Sequence, residues 1–248
     1  MDRAQFEVLG VRIDALTPDS TLSLVEEAVA GRRKTSLAFC TVSSVLSARD
    51  DPLVKQALES AVVTPDGMPL VWLGRKRHES VERVYGPDFM MHLLGSTGPR
   101  YAHFFYGGGP GVAEEMADRL KRRFPALRVA GVHSPPMGLV PADPPPHDIA
   151  MINDSGADIV WVGIGHPKQE LFMYLNRERL DAPVLAGVGA AFDFHAGRTK
   201  EAPGWMKRSG LQWLHRMGKE PRRLWRRYLL GNTRFVVLLA RERLTRKT

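Results

Sequence analysis

Apolar runs alternate along most of the chain with stretches whose apolar positions recur at the helical period, and turn residues punctuate the boundaries. FEVLGVRIDALT predicts a strand followed by a turn. PDSTLSLVEEAVA predicts a helix opened by Asp19 or Ser20 and closed at Gly31. TSLAFCTV predicts a short buried strand, and VLSARDDPLVKQALES predicts helix on both sides of Pro52. AVVTPDGMPLVWL predicts a strand that breaks at Pro65-Asp66-Gly67 and resumes as a helix. RYAHFFYGGGPGVAEEMADRLKRRFPALRVAGVHSPPMG has the order strand, glycine turn, helix, strand, which is a βαβ unit and implies parallel pairing. PADPPPHDIAMINDSG predicts a loop and a helix, with Pro144 to Pro146 as a connector. ADIVWVGIGHPKQELFMYLNR repeats the strand, glycine turn and helix, and APVLAGVGAAFDFHAG predicts a last buried strand ending in a loop. The expected fold is α/β, an open parallel sheet with helices on both faces over residues 1–201, followed by a basic α-helical appendage over 202–248.

The appendage changes the picture most. In LHRMGKEPRRLWRRYLLGN, the apolar Leu224, Trp225, Tyr228 and Leu229 fall on one helical face and Arg216, Arg222, Arg223, Arg226 and Arg227 on the other. Such a pattern suits a core-packed helix with a solvated basic face, or a surface that meets phosphate. The net charge of +8 is concentrated there: from Arg198 onward the chain holds 15 basic and 3 acidic residues, a net +12, leaving −4 for the rest. With 44% hydrophobic and 25% charged residues the composition is that of a soluble globular protein. The single cysteine, Cys40, excludes an internal disulfide, fits a reducing cytoplasm and suits inert packing. MDRAQFEVLGVRIDALT lacks the pattern of a signal peptide, and no apolar run is long enough to span a bilayer, so any membrane contact is expected to be peripheral.

Two glycine turns follow apolar strands. In FYGGGPG, Gly107, Gly108 and Gly109 would let backbone N–H groups approach a phosphate, or simply let strand pack against helix. The turn is a poor dinucleotide fingerprint, because Val112 stands at the third glycine position and RVAGVHSP offers no acidic residue for a ribose. No Gly-Lys-Ser/Thr follows, which excludes a P-loop. In VGIGHPKQE, Gly163 and Gly165 form the second turn, with Lys168 and Gln169 at its mouth. Together the turns point to a nucleotide cleft at the C-terminal ends of the strands. Asp66 in TPDGMP serves either as a turn and cap residue or as a general base facing that cleft. Arg83 and Asp88 in ERVYGPDF read equally as a surface ion pair. His133, His147, His166 and His195 lack ligand spacing and there is no Asp-x-Asp, so neither a metal nor another cofactor is expected.

TPDGMPLVW, ERVYGPDF, FFYGGGPGVAEEMADRLKRRFP, VGIGHPKQE, GVGAAFDFHAG and APGWMKRSGLQWLHRMGKEPRRLWRRYL, in that order from about Thr41 to Tyr228, resemble the successive blocks of the WecG/TagA/CpsF glycosyltransferases. The resemblance implies a Rossmann-like core of the GT-E type and transfer of a sugar from a UDP-sugar to a polyprenyl-diphosphate-linked saccharide, with inversion and without a metal. It implies work at the inner face of the bacterial cytoplasmic membrane, in synthesis of teichoic acid, common antigen, capsule or exopolysaccharide. Carried onto this chain, the family's base falls on Asp66, its threonine near the acceptor pocket on Thr41, and the arginine of the ERV-x-G block on Arg83. Gln169 and Asp193 take the places of the family's glutamine and aspartate, and Arg216, Arg223 and Arg226 those of three appendage arginines. The chain departs from the family's Thr-x-Asn at Thr41-Val42-Ser43, losing an amide, and from Arg-Ala-Pro at Glu201-Ala202-Pro203, reversing a charge.

With no metal signature, the appendage arginines are the expected partners of the leaving diphosphate, since guanidinium pairs bidentately with phosphate. The expected partners are thus a UDP-sugar, the lipid-linked acceptor and an anionic membrane surface; the sequence is compatible with an oligomer. Two other readings stand beside this one: a UDP-sugar-modifying enzyme without a lipid acceptor, and a basic-tailed nucleic-acid-binding module. Against the second, the glycine turns and Asp66 lie in the acidic body and no nucleic-acid motif is present, so no nucleic acid is expected as partner.

Overall fold

The computed structural model describes residues 3–136, 138–219 and 221–245, without the side chains of Arg223 and Arg227. The first segment is not one strand but a hairpin. β1 (Gln5–Val8) and β2 (Val11–Asp14) pair antiparallel across Leu9 and Gly10, both at positive φ, which closes the two-residue turn that twisted strands prefer. α1 (Pro18–Ala30) is capped by Thr17 rather than by Asp19 or Ser20: Ser20 N–H donates to the Thr17 hydroxyl while Thr17 N–H donates to the Ser20 hydroxyl.

From there the chain alternates strand and helix. β3 (Thr35–Cys40), α2 (Val42–Asp50), α3 (Pro52–Glu59), β4 (Val62–Pro65), α4 (Met68–Arg75) and α5 (Gly86–Thr97) form the first half. β5 (Ala102–Gly107), α6 (Val112–Arg123), β6 (Arg128–His133), α7 (Pro146–Asp154), β7 (Ile159–Gly163), α8 (Lys168–Leu175) and β8 (Val184–Gly187) form the second. The six strands β3 to β8 make one parallel sheet in the order β4-β3-β8-β7-β5-β6. A parallel sheet must be covered on both faces, and the pleat assigns each residue its side. Leu37, Phe39, Phe105 and Trp161 pack beneath α1, α5 and α6. Ala38 and Cys40 face α2 and α3, while Phe104, Tyr106, Val160 and Val162 face α7 and α8. The hairpin covers the β4 edge, where buried Asp14 accepts Val63 N–H at 2.8 Å and holds Arg3 and Gln5 at 2.9 Å.

The last strand runs not into a loop but into a short helix, α9 (Ala191–His195). α10 (Gly204–Arg208), α11 (Gln212–Lys219), α12 (Pro221–Trp225), a π-helical turn over Arg226–Leu230, and α13 (Gly231–Thr245) follow. The single amphipathic face expected for Leu214 to Asn232 is therefore interrupted, because Pro221 starts a new helix. Leu224 is buried, whereas Trp225 and Leu229 are exposed. The appendage is fastened at its far end: Phe235 of α13 is buried in the cluster containing Leu46, and Arg234 forms a two-pronged ion pair with Asp50 of α2.

Candidate active site

Asp66 directly follows β4, in the turn that launches α4. Asp66 and Gly67 N–H both donate to Cys40 O, at 2.9 and 3.2 Å, so the turn is tied to the end of the neighbouring β3. Asp66 is 8% exposed, and burial pushes its carboxyl above the ordinary carboxylate range; Arg83, a backbone N–H at Gly86 and Arg216 pull in the opposite direction. Arg83 does not pair with Asp88. Its Nη2 donates to Asp66 Oδ1 at 3.0 Å and to Gln212 Oε1 at 2.6 Å, its Nε to Asp66 O at 2.5 Å, and its Nη1 to Lys207 O at 3.2 Å. The guanidinium thus joins the body to α10 and α11, and it lies 4.4 Å from the Tyr85 ring centroid.

Asp88 instead meets Lys207 Nζ at 2.8 Å, and Lys207 also reaches Glu201 at 2.6 Å. Tyr85, whose hydroxyl burial keeps protonated, accepts from Gln212 Nε2 at 2.6 Å and donates to Glu201 at 3.4 Å. Arg83, Tyr85, Glu201, Lys207 and Gln212 form one network that seats the appendage on the body. Tyr85, Glu201, Lys207 and Gln212 were not marked as site residues from the sequence, because their partners lie far along the chain. Thr41 caps α2 in a reciprocal arrangement with Ser44, which leaves the residue at the cleft with a structural duty as well.

Two cavities open above the C-terminal ends of the strands. The larger, about 630 Å³, runs from Thr41 and Asp66 past Gly163, Gly165, Lys168 and Gln169 to Gly108, Gly109 and Asp193. The smaller, about 290 Å³, lies between body and appendage, walled by Met68, Trp72, Leu211, Trp213 and Tyr228. Thr41, Asp66 and Arg216 line both. Arg216 also borders a side chamber of 240 Å³ with Asp193, Lys200, His215 and Lys219. The lysines there were not anticipated.

The structure divides the glycines. Gly107 and Gly163 are required by packing, since a Cβ at Gly107 would sit 2.5 Å from the Gly163 backbone and one at Gly163 would sit 2.3 Å from the Phe192 ring. Gly107 does not line the cleft; Gly108, Gly109, Gly163 and Gly165 do. Gln169 is buried and donates to Gly187 O at 2.7 Å, while its Oε1 has no hydrogen-bond partner. Beside it, buried Glu170 lies 3.1 Å from His166 Nδ1, whose ring also bonds the Ser47 hydroxyl at 3.0 Å; both residues line the large cleft and neither was expected there. Cys40 is buried and its thiol is pushed up by burial and by nearby Glu170 and Asp66, which suits a packed, unreactive role. Arg226 is exposed, lies over the Trp225 ring and lines neither cavity, and the Arg223 side chain lies outside the described residues.

A parallel α/β sheet with a buried carboxylate where two cavities meet above its strand ends has a form suited to an enzyme that binds two ligands side by side. The family model for the glycosyl transferase WecG/TagA/CpsF family matches residues 6–248, and the chain belongs to that family of glycosyltransferases. It is 32% identical over 203 residues to an N-acetylglucosaminyldiphosphoundecaprenol N-acetyl-beta-D-mannosaminyltransferase of Bacillus spizizenii, covering 81% of this chain and 77% of that one. A protein of the same description from Bacillus subtilis is 28% identical over 195 residues, covering 76% of this chain and 72% of its own length.

Proposed function

We propose that the protein moves a sugar from a UDP-sugar to a saccharide carried on a polyprenyl diphosphate, with inversion at the anomeric carbon and without a metal ion. The observation that supports this reading is the meeting of the two cavities at Thr41, Asp66 and Arg216. The larger cavity has the volume of a nucleotide-sized site and carries the glycine turns and the Lys168 end of α8. The smaller, with Trp72, Trp213 and Tyr228 on its walls, offers aromatic faces for a sugar ring. Asp66 stands between them. In the proposed step it takes the proton of the acceptor hydroxyl while that oxygen bonds to the anomeric carbon. The bond to the UDP oxygen breaks on the opposite face, and its electron pair leaves with the diphosphate. Arg216 and Lys168 offset the charge that develops there. The names of the relatives make transfer of N-acetylmannosamine to an N-acetylglucosamine-diphosphate lipid the first pairing to try. Glu201, whose charge is opposite to the family's usual arginine, is engaged by Lys207 and Tyr85 rather than standing free at the donor end.

No helix among the described residues is long and apolar enough to cross a membrane. Trp225, Leu229, Leu230, Val236, Val237 and Leu244 are nonetheless exposed along the basic appendage. That combination suits peripheral contact with an anionic surface, and we place it at the cytoplasmic face, where a UDP-sugar and the lipid-linked saccharide meet. The test is a panel of UDP-sugars scored for UDP release with and without a short-chain lipid-diphosphate acceptor, alongside melting curves with millimolar UDP. UDP should raise the melting temperature and an oligonucleotide should not. Protection by the oligonucleotide and none by UDP would point to a nucleic-acid module instead.

A further inference from the structure

At the sheet edge opposite Asp66, one ligand atom each of His133, His147 and Asp148 lies within 4.8 Å of the others. We propose that these residues form a divalent transition-metal site of the zinc class, independent of the sugar-transfer reading. The geometry is that of ligands facing a common point. Nε2 of His133 lies 3.2 Å and Nε2 of His147 lies 2.8 Å from Asp148 Oδ1. Yet Asp148 Oδ1 and His133 Nε2 are both buried without a hydrogen-bond partner. Tetrahedral zinc with bonds of ~2.0–2.1 Å separates its ligand atoms by about 3.3 Å, close to the 3.2 Å between His133 and Asp148, and the exposed His147 ring, at 2.8 Å, would draw back slightly to meet it.

The surroundings fit as well. Asp148 has a fully buried side chain, and a buried carboxylate oxygen needs a compensating partner. Its other oxygen, Oδ2, accepts the Tyr106 hydroxyl at 2.7 Å, which fixes the carboxylate with Oδ1 turned to the imidazoles. The Tyr106 ring stacks on His133 with centroids 5.8 Å apart. His147 is exposed, so an ion can enter from solvent and keep a water as fourth ligand. Two imidazoles and one carboxylate favour zinc, cobalt or nickel over magnesium or calcium, which take oxygen ligands.

The position gives the site a task. His133 ends β6, and His147 and Asp148 open α7, so a metal would clip together the two ends of the connection between them. Pro135, Pro136, Gly138 and Leu139 of that connection wall the large cleft. β6 and β4 lie at opposite edges of the sheet, five strand spacings or about 24 Å apart, so the ion would brace the cleft wall without touching Asp66.

The experiment uses tag-free protein stripped with chelator and dialysed against Zn²⁺, with bound metal counted by elemental analysis and melting followed in parallel. Wild type should bind one Zn²⁺ per chain beyond any bound by the variants and should melt several degrees higher with Zn²⁺ than without. His147→Ala alters only an exposed side chain and should fold normally, yet bind Zn²⁺ at least tenfold more weakly with its melting shift gone. Asp148→Asn should behave likewise, and Co²⁺ should give visible d–d bands in wild type alone. Zn²⁺ stoichiometry and melting shift that are the same in wild type and His147→Ala, or no tight Zn²⁺ in wild type, would overturn the proposal and leave the cluster as an imidazole–carboxylate contact.

Discussion

Arg83 offers the sharpest test of the proposal that Asp66 takes a proton. Burial raises the Asp66 carboxyl, and Arg83 is the largest opposing influence. A base works only when deprotonated, so transfer should rise with pH through the Asp66 pKa, and an upward shift of that pKa moves the acidic limb to higher pH. Replacing Arg83 by Gln removes a positive charge whose Nη2 lies 3.0 Å from Asp66 Oδ1. With charge centres ~4 Å apart and an effective dielectric of about 20, that pair is worth at most ~4 kcal/mol, or about 3 pH units. Both side chains retain some solvent contact, and Arg216 and the Gly86 N–H remain, so the acidic limb should move to higher pH by clearly less than that upper bound. The assay is kcat/KM against pH for wild type, Arg83→Gln and Arg83→Lys. Arg83→Gln should recover much of its lost rate at alkaline pH, while Arg83→Lys, which keeps the charge but not the fork to Gln212 and Lys207 O, should hold its acidic limb near the wild-type position. A loss in Arg83→Gln that is uniform across pH, with the limb unmoved, would show that Arg83 does not act through the Asp66 proton.

Asp66→Asn should be slightly more stable than wild type at neutral pH: a carboxyl whose folded pKa is raised stabilises the fold when protonated and loses that contribution as pH rises through the folded value, so the gain should vanish in acid melting curves. On the proposed reading Arg216 and Lys168 offset the diphosphate charge, so chelator should leave transfer intact at temperatures well below melting; activity that disappears and returns only with Mg²⁺ or Mn²⁺ would reopen the search for acidic ligands. Leu230→Ser with Val236→Ser should weaken binding to anionic vesicles several-fold while sparing transfer to a water-soluble acceptor, as both side chains are exposed; equal loss in both assays would make the surface part of the catalytic unit. Surface substitutions serve better here than deleting α13, since removing buried Phe235 should destabilise the body by ~3 kcal/mol or more.

The sheet was readable because parallel strands buried on both faces leave continuous apolar runs, as in HFFYG and DIVWVG, and each run ends in a glycine or Pro-Asp turn. Asp66 was readable for the same reason, since its turn marks a strand end. The resemblance named Arg83 too, but not its pairing with Asp66. Arg83 reaches back to Asp66 and forward to Lys207 and Gln212, contacts across long sequence separations that leave no periodicity. The hairpin was missed because Leu9, rather than Asn or Asp, takes the first left-handed turn position. The interruption of the appendage turns on Pro221, which the helical spacing of apolar residues on both sides had obscured. His133 and the His147-Asp148 pair meet only because α7 folds back beside β6, so no ligand spacing could have announced them.

The central claim is that Asp66 deprotonates an acceptor hydroxyl between two cavities. The most direct measurement is the rate of UDP release from UDP-N-acetylmannosamine by wild type and Asp66→Asn, with and without an N-acetylglucosamine-diphosphate lipid of short chain. Wild type should release UDP only when the acceptor is present, and Asp66→Asn should be slower by ~10²-fold or more while UDP still raises its melting temperature. Near-normal turnover by Asp66→Asn, or UDP release that ignores the acceptor, would contradict the account.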